Sequence, residues 1–121
     1  MDNPLESLKT ARLHVDKPWG GFDRYTLNQC STVKILTVAP GHALSLQTHE
    51  HRDELWVVIE GDPRIQVGET EHAAEPGQEF LIPRHTLHRI TTGALTARVL
   101  EISVGKFDED DVRRYEDRYD R

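Results

Sequence analysis

Gln47-Thr48-His49-Glu50-His51-Arg52-Asp53-Glu54-Leu55-Trp56-Val57-Val58-Ile59-Glu60-Gly61 is the stretch on which the fold turns. Gln47 and His49 are two apart, so on a strand they share one face. Glu54 opens a second apolar run that reads as the next strand. His88 follows much later, in Leu81-Ile-Pro-Arg-His-Thr-Leu-His-Arg-Ile90. Two imidazoles, a carboxylate and an amide carbonyl form a mixed N/O donor set that suits Zn, Mn, Fe, Co or Ni. They suffice for one divalent ion with positions left open. The plain alternative is a buried polar network without metal. Burying a carboxylate and two imidazoles uncompensated is costly, and a cation removes that cost.

The texture around this stretch is all-β. Runs at 22–28, 32–39, 43–49, 54–60, 63–67, 71–74, 78–83, 87–92 and 95–104 alternate with breaks at Pro40-Gly41, Gly61-Asp62, Gly68-Glu69, Pro76-Gly77 and Thr92-Gly93. Many short strands without intervening helices predict a sandwich or barrel. Parity places Trp56 and Val58 on the face of Glu54, lining the barrel. Leu55, Val57 and Ile59 point outward, where a second sheet layer or a subunit partner in a homodimer would cover them. Asn3-Pro4-Leu5-Glu6 reads as a helix start with an Asn cap, Pro at the first position and Glu at the third. Asp108-Glu-Asp-Asp111 predicts a C-terminal helix, with Arg113, Arg114 and Arg118 toward its far end and Tyr115 and Tyr119 pinning it to the barrel.

These motifs resemble the cupins, which carry G-x5-HxH-x3,4-E-x6-G and G-x5-P-x-G-x2-H-x3-N. Glu54 is followed by six residues and Gly61, four residues separate it from His49, and Gly77 is followed by five residues, Pro83 and then His88. Gln47 falls where the first cupin His sits, a substitution similar to that of phosphomannose isomerases. Pro40 to Val58, Pro18-Trp-Gly20, Ile82-Pro83, His88-Arg89 and Val112-Arg-Arg-Tyr-Glu-Asp-Arg-Tyr119 resemble the isomerase domain of type II bifunctional phosphomannose isomerase/mannose-1-phosphate guanylyltransferases. The resemblance implies a cupin barrel (double-stranded β-helix, jelly roll) with short N- and C-terminal helices. The resemblance covers roughly residues 17–121, so 18–121 are expected to form one cupin domain, and the helix start at Asn3 makes residues 1–17 an expected helical extension. Leu55, His85, Thr92 and Asp120 depart from the usual His, Gly, Asn and Gly; none is an expected ligand.

The resemblance also implies Gln47, His49, Glu54 and His88 as metal ligands, with zinc first among the candidate ions. It implies an isomerase that interconverts mannose 6-phosphate and fructose 6-phosphate. Such chemistry needs a proton shuttle, for which His51 is the first candidate and Glu79 the second. It also needs cations for the phosphate; Lys34, Arg52, Arg84 and Arg89 cluster near the motifs in sequence, and Lys34, Arg52 and Arg89 are the expected phosphate-binding residues. Two rivals remain at this level: another cupin enzyme, such as a sugar epimerase or a dioxygenase, and a non-catalytic module that binds or senses a sugar phosphate. Gln47 in place of a His counts against oxygen chemistry. The nucleotidyltransferase half of the bifunctional enzymes has no counterpart in the 121 residues.

Composition narrows the partners. A net charge of −6 argues against a nucleic acid, while leaving room for a small sugar phosphate held by a local cation cluster. The single Cys30 excludes an intrachain disulfide and fits a reducing cytoplasm. No long apolar run predicts a membrane span.

Overall fold

A computed structural model describes residues 4–119. The chain runs α1 (Pro4–Ala11), β1 (Leu13–Lys17), β2 (Gly20–Arg24), β3 (Thr32–Val38), β4 (Leu46–Thr48), β5 (Arg52–Glu60), β6 (Arg64–Val67), β7 (Thr70–Ala73), β8 (Glu79–Ile82), β9 (His88–Thr91), β10 (Ala97–Gly105) and β11 (Arg113–Glu116). A four-stranded sheet, β3-β10-β5-β8, faces a five-stranded one, β11-β4-β9-β6-β7, and β1 and β2 form a separate hairpin. All pairings are antiparallel. The two sheets make the expected jelly-roll barrel. The expected domain boundary after residue 17 falls inside the β1–β2 hairpin, whose register pairs Lys17 with Gly20.

Period-two patterning sorts the apolar side chains between two cores. Trp56 and Val58 point inward and meet Val38, Ile82 and Val99 of their own sheet and Ile65 and Ile90 of the other. Leu55 and Val57 point outward and pack with Ile102, Val104 and Leu8 of α1. The outer face of β5 is therefore covered by a helix of the same chain, where a second sheet layer or a subunit partner was expected. Ile59, beyond the reach of that cover, is 42% exposed. Arg12, at the end of α1, grips Glu79 of β8 through two nitrogens at 2.6 and 2.5 Å. The Asn3 cap lies outside the described residues.

The C-terminal helix is not formed. Residues 113–116 are a strand whose Arg113 and Arg114 pair with Thr48 and Gln47 of β4. The acidic run before it is a turn: Asp108 accepts the Asp110 N–H at 2.9 Å, and the Val112 N–H reaches the Asp110 carbonyl at 2.9 Å. Acids at a helix start gain only a fraction of a kcal/mol each, about 0.3–1. Without β11, the outer edge of β4 would leave its backbone N–H and C=O groups unpaired. Tyr119 still serves as an anchor, its hydroxyl 2.7 Å from His42 Nδ1.

One glycine fixes the approach of this terminal segment to the site. Gly105 has φ of 115°, and a Cβ there would run into the His51 carbonyl. That carbonyl accepts the Lys106 N–H at 3.0 Å. Because Leu8 is 1% exposed in the outer core, Leu8→Ala should cost about 2–5 kcal/mol in chemical denaturation. A cost below about 0.5 kcal/mol, the usual scatter for surface positions, would show that α1 is dispensable to the barrel.

Candidate metal centre

Strand parity and the facing of the two sheets bring His49, Glu54 and His88 to one point. His49 follows directly on the last residue of β4, His88 begins β9, and Glu54 comes from β5 across the barrel. All three are buried, at 4%, 1% and 1% exposure. The two Nε2 atoms are 3.1 Å apart, and Glu54 Oε1 lies 3.7 Å from His49 Nε2 and 3.5 Å from His88 Nε2. Donors about 2.0–2.2 Å from one ion stand roughly 3.0–3.6 Å from each other. The observed edges fall in or next to that range, so the three residues can hold a metal ion.

The outer nitrogens decide what the inner ones can do. His49 Nδ1 donates to the Asp111 carbonyl at 2.6 Å, and His88 Nδ1 to the Thr86 carbonyl at 2.8 Å. A carbonyl only accepts, so both Nδ1 atoms carry hydrogen. Burial lowers both imidazole pKa values, His88 to about 4, so the neutral rings turn unprotonated Nε2 atoms inward, that of His49 within 3.2 Å of Arg52 Nη2. The 3.1 Å contact between the two Nε2 atoms is therefore not a hydrogen bond. Glu54 Oε1 is also buried with no hydrogen-bond partner among the described residues. Three lone pairs converge without a proton between them, and a cation satisfies all three.

Gln47 shares this pocket, and its register partner on β9 is His88. Its Oε1 accepts the Ser45 hydroxyl at 3.0 Å. The other Glu54 oxygen, Oε2, accepts from Ser103 at 3.1 Å and from Arg52 Nε at 3.2 Å. The cleft holds about 260 Å³ and is lined further by Lys34, Trp56, Glu101, Glu109, Val112 and Arg114.

Several expected residues lie elsewhere. His51 is exposed and outside the pocket lining. Its backbone N–H donates to the Asp111 carboxylate at 3.0 Å. Glu79 is occupied by Arg12 on the outer side of the barrel. Arg89 donates to the Leu44 carbonyl and pairs with Glu116 at 3.0 Å. Strand parity carries His51 onto the pocket face only if β4 continues, but β4 stops at Thr48 and residues 50–51 bend toward Asp111. Lys34 and Arg52 do line the pocket. Lys34 pairs with Glu109 at 3.0 Å.

Glu101 is the group that sequence reading passed over. It sits on β10 opposite Trp56 and Lys34, at 4% exposure. Burial first, then the hydrogen bond and charge of Glu54, push its pKa up to about 8. A signal existed: in Ala97-Arg-Val-Leu-Glu-Ile-Ser-Val104, Glu101 shares the inward parity of Val99 and Ser103, where a lone carboxyl is out of place in a core. The motif position two residues after Pro83 reads differently as well. His85, which replaces a motif Gly, has φ of 66°, the left-handed conformation that favours Gly, and its N–H donates to the His49 carbonyl at 2.8 Å.

The barrel and its buried His-His-Glu group define a cupin. A cupin-2 domain of Rhodospirillum rubrum superposes with a TM-score of 0.63 at 18% identity, over 72% of this chain and 57% of that one. The sequence profile of the Mannose-6-phosphate isomerase C-terminal family matches residues 6–117, and the chain belongs to that family. Xanthan biosynthesis protein XanB of Xanthomonas campestris is 38% identical over 109 residues, 88% of this chain and 23% of that protein. Mannose-1-phosphate guanylyltransferase ManC of Salmonella typhimurium is 38% identical over 110 residues, again 88% and 23%. The chain thus spans about a quarter of these relatives' length.

The two strongly shifted groups give opposite pH slopes in metal-stripped protein. The contribution of His88 is present above its ordinary 6.5 and is lost as pH falls toward 4. Glu101, with its folded value raised, contributes below its ordinary 4.5 and loses that contribution as pH rises toward 8. Between 6.5 and 8 only the Glu101 slope remains of the two. The melting temperature should therefore fall with rising pH across that window, and Glu101→Gln should flatten the fall. An equal slope in the variant would reject the buried acid as its source.

Proposed function

We propose that this domain is a metal-dependent aldose–ketose isomerase acting on a phosphorylated hexose, interconverting mannose 6-phosphate and fructose 6-phosphate. The observation that carries the reading is a buried carboxyl, Glu101, lining a cleft of small-ligand size beside a His-His-Glu group. Membership of the isomerase family supports the substrate. A divalent cation held by His49, Glu54 and His88 supplies electrostatic stabilisation for negative charge that develops on the sugar oxygens.

The chain's own residues do the rest. Glu101, as carboxylate, takes the proton from C2 of the open-chain aldose, which leaves an enediolate with its charge on O1. The O2 hydroxyl proton passes to O1, the charge moves to O2, and Glu101 returns its proton to C1 as O2 becomes the ketone oxygen. A group whose pKa lies near the working pH both accepts and returns a proton efficiently. Glu101 thereby replaces His51 and Glu79 as the shuttle. Gln47, the expected fourth ligand, lines the same cleft with its Oε1 accepting the Ser45 hydroxyl, and both are neutral hydrogen-bonding groups available to ion or sugar. Arg114, exposed on the pocket rim opposite Gln47, has no ion-pair partner among the described residues, whereas Lys34 and Arg52 are committed to acidic neighbours. Arg114 is the residue best placed to hold the phosphate.

Incubation of mannose 6-phosphate in D2O with metal-replete protein should place deuterium at C2, read by NMR. Glu101→Gln should slow that exchange by roughly 10²–10⁴ while the metal content stays unchanged. Exchange absent from wild type ends the isomerase reading, and a metal-bearing protein that only binds sugar phosphates would be the conclusion. Arg114→Met should raise KM for the phosphorylated sugar by roughly 10- to 100-fold, the loss of one charged hydrogen-bonding partner. The free sugar should be little affected, and equal losses on both would remove Arg114 from the phosphate site.

A further inference from the structure

We infer that Arg52 is an internal cation that competes with the metal ion for His49 and Glu54, holding the empty site together and giving way when metal binds. The inference rests on the metal reading of the site but is independent of the isomerase reading. Arg52 is only 5% exposed, so its charge is buried. Its Nε donates to Glu54 Oε2 at 3.2 Å, its Nη1 to the Asp108 carbonyl at 3.0 Å, and its Nη2 approaches His49 Nε2 at 3.2 Å. The guanidinium lies over the Phe107 ring, 4.4 Å from the centroid.

The His49 contact is the telling one. His49 Nδ1 is already a donor to Asp111, so Nε2 offers a single lone pair. That lone pair can receive an Arg52 N–H or bind a metal ion, but not both. Glu54 is divided in the same way: Oε2 faces the guanidinium, while Oε1 faces the imidazoles with no hydrogen-bond partner among the described residues. Two cations thus address one donor set from two sides. Without metal, Arg52 is the positive charge in contact with this set and neutralises the buried carboxylate. With metal, its Nη2 must leave His49, and the two like charges repel across a buried site.

Removing Arg52 should therefore have an effect opposite to that of deleting a supporting residue. Zinc-stripped wild type and Arg52→Met would be titrated with Zn2+ against a chromophoric chelator. The variant should bind Zn2+ roughly tenfold or more tightly, because a competitor and a like charge are gone. Its metal-free form should melt below wild type, because Glu54 loses its counter-ion. Should the stripped variant not fold, the wild type decides: the Arg52 Nε–H resonance in ¹H–¹⁵N spectra should shift on Zn2+ addition. Equal or weaker Zn2+ binding by the variant, or an Arg52 Nε–H that Zn2+ leaves unmoved, overturns the inference. Wild type that takes up no Zn2+ removes it together with the metal reading. No sugar enters the titration, so a protein that behaves as expected here yet exchanges no C2 proton loses only the isomerase reading.

Discussion

Three lone pairs, on His49 Nε2, His88 Nε2 and Glu54 Oε1, meet at a buried point of the barrel, with no proton between them. Left alone they repel, and the rest of the site is arranged around that cost. Backbone carbonyls at Asp111 and Thr86 hold each imidazole in the tautomer that turns its bare nitrogen inward. Arg52 and Ser103 satisfy the far oxygen of Glu54 and leave the near one free. A donor set organised in this way can hold a cation without first rearranging its rings, which is the physical meaning of preorganisation.

The segment from Phe107 to Glu116 belongs to the site as much as the motif strands do. Asp111 ties it down twice, its carbonyl taking His49 and its carboxylate taking the N–H groups of Glu50 and His51. Asp108 and Phe107 hold Arg52, Glu109 holds Lys34, and β11 carries Arg114 to the rim. One wall of the pocket is therefore supplied by the end of the chain, and the acids that look like helix-start chemistry are consumed as hydrogen-bond acceptors and counter-ions.

Two buried carboxyls, Glu54 and Glu101, interact in the barrel, and their surroundings differ. Glu54 has Arg52 and Ser103 as donors. Glu101 faces burial and the neighbouring charge of Glu54, which favour its neutral form. The same side-chain chemistry takes on two protonation tendencies because one carboxyl is supplied with donors and the other is deprived of them.

Much of this was legible along the chain. Period-two alternation and Gly/Pro punctuation are local, so they set the strands from β2 to β10, the inward face of Trp56 and Val58, and the grouping of His49, Glu54 and His88. The motif spacing was enough to name the family. What sequence could not determine depends on partners distant in the chain. Residues 113–116 prefer a strand only because β4 offers them an open edge. The outer face of β5 is covered by α1 because Leu8 happens to reach it. His51 and Glu79 have suitable chemistry, but a bend at residue 50 and a salt bridge to Arg12 remove them from the pocket. Glu101 and Arg114 enter it through strand pairings across the barrel. Local periodicity is a property of neighbouring residues and is written in the sequence; which cation faces which carboxylate is decided by long-range packing, and only the folded barrel fixes it.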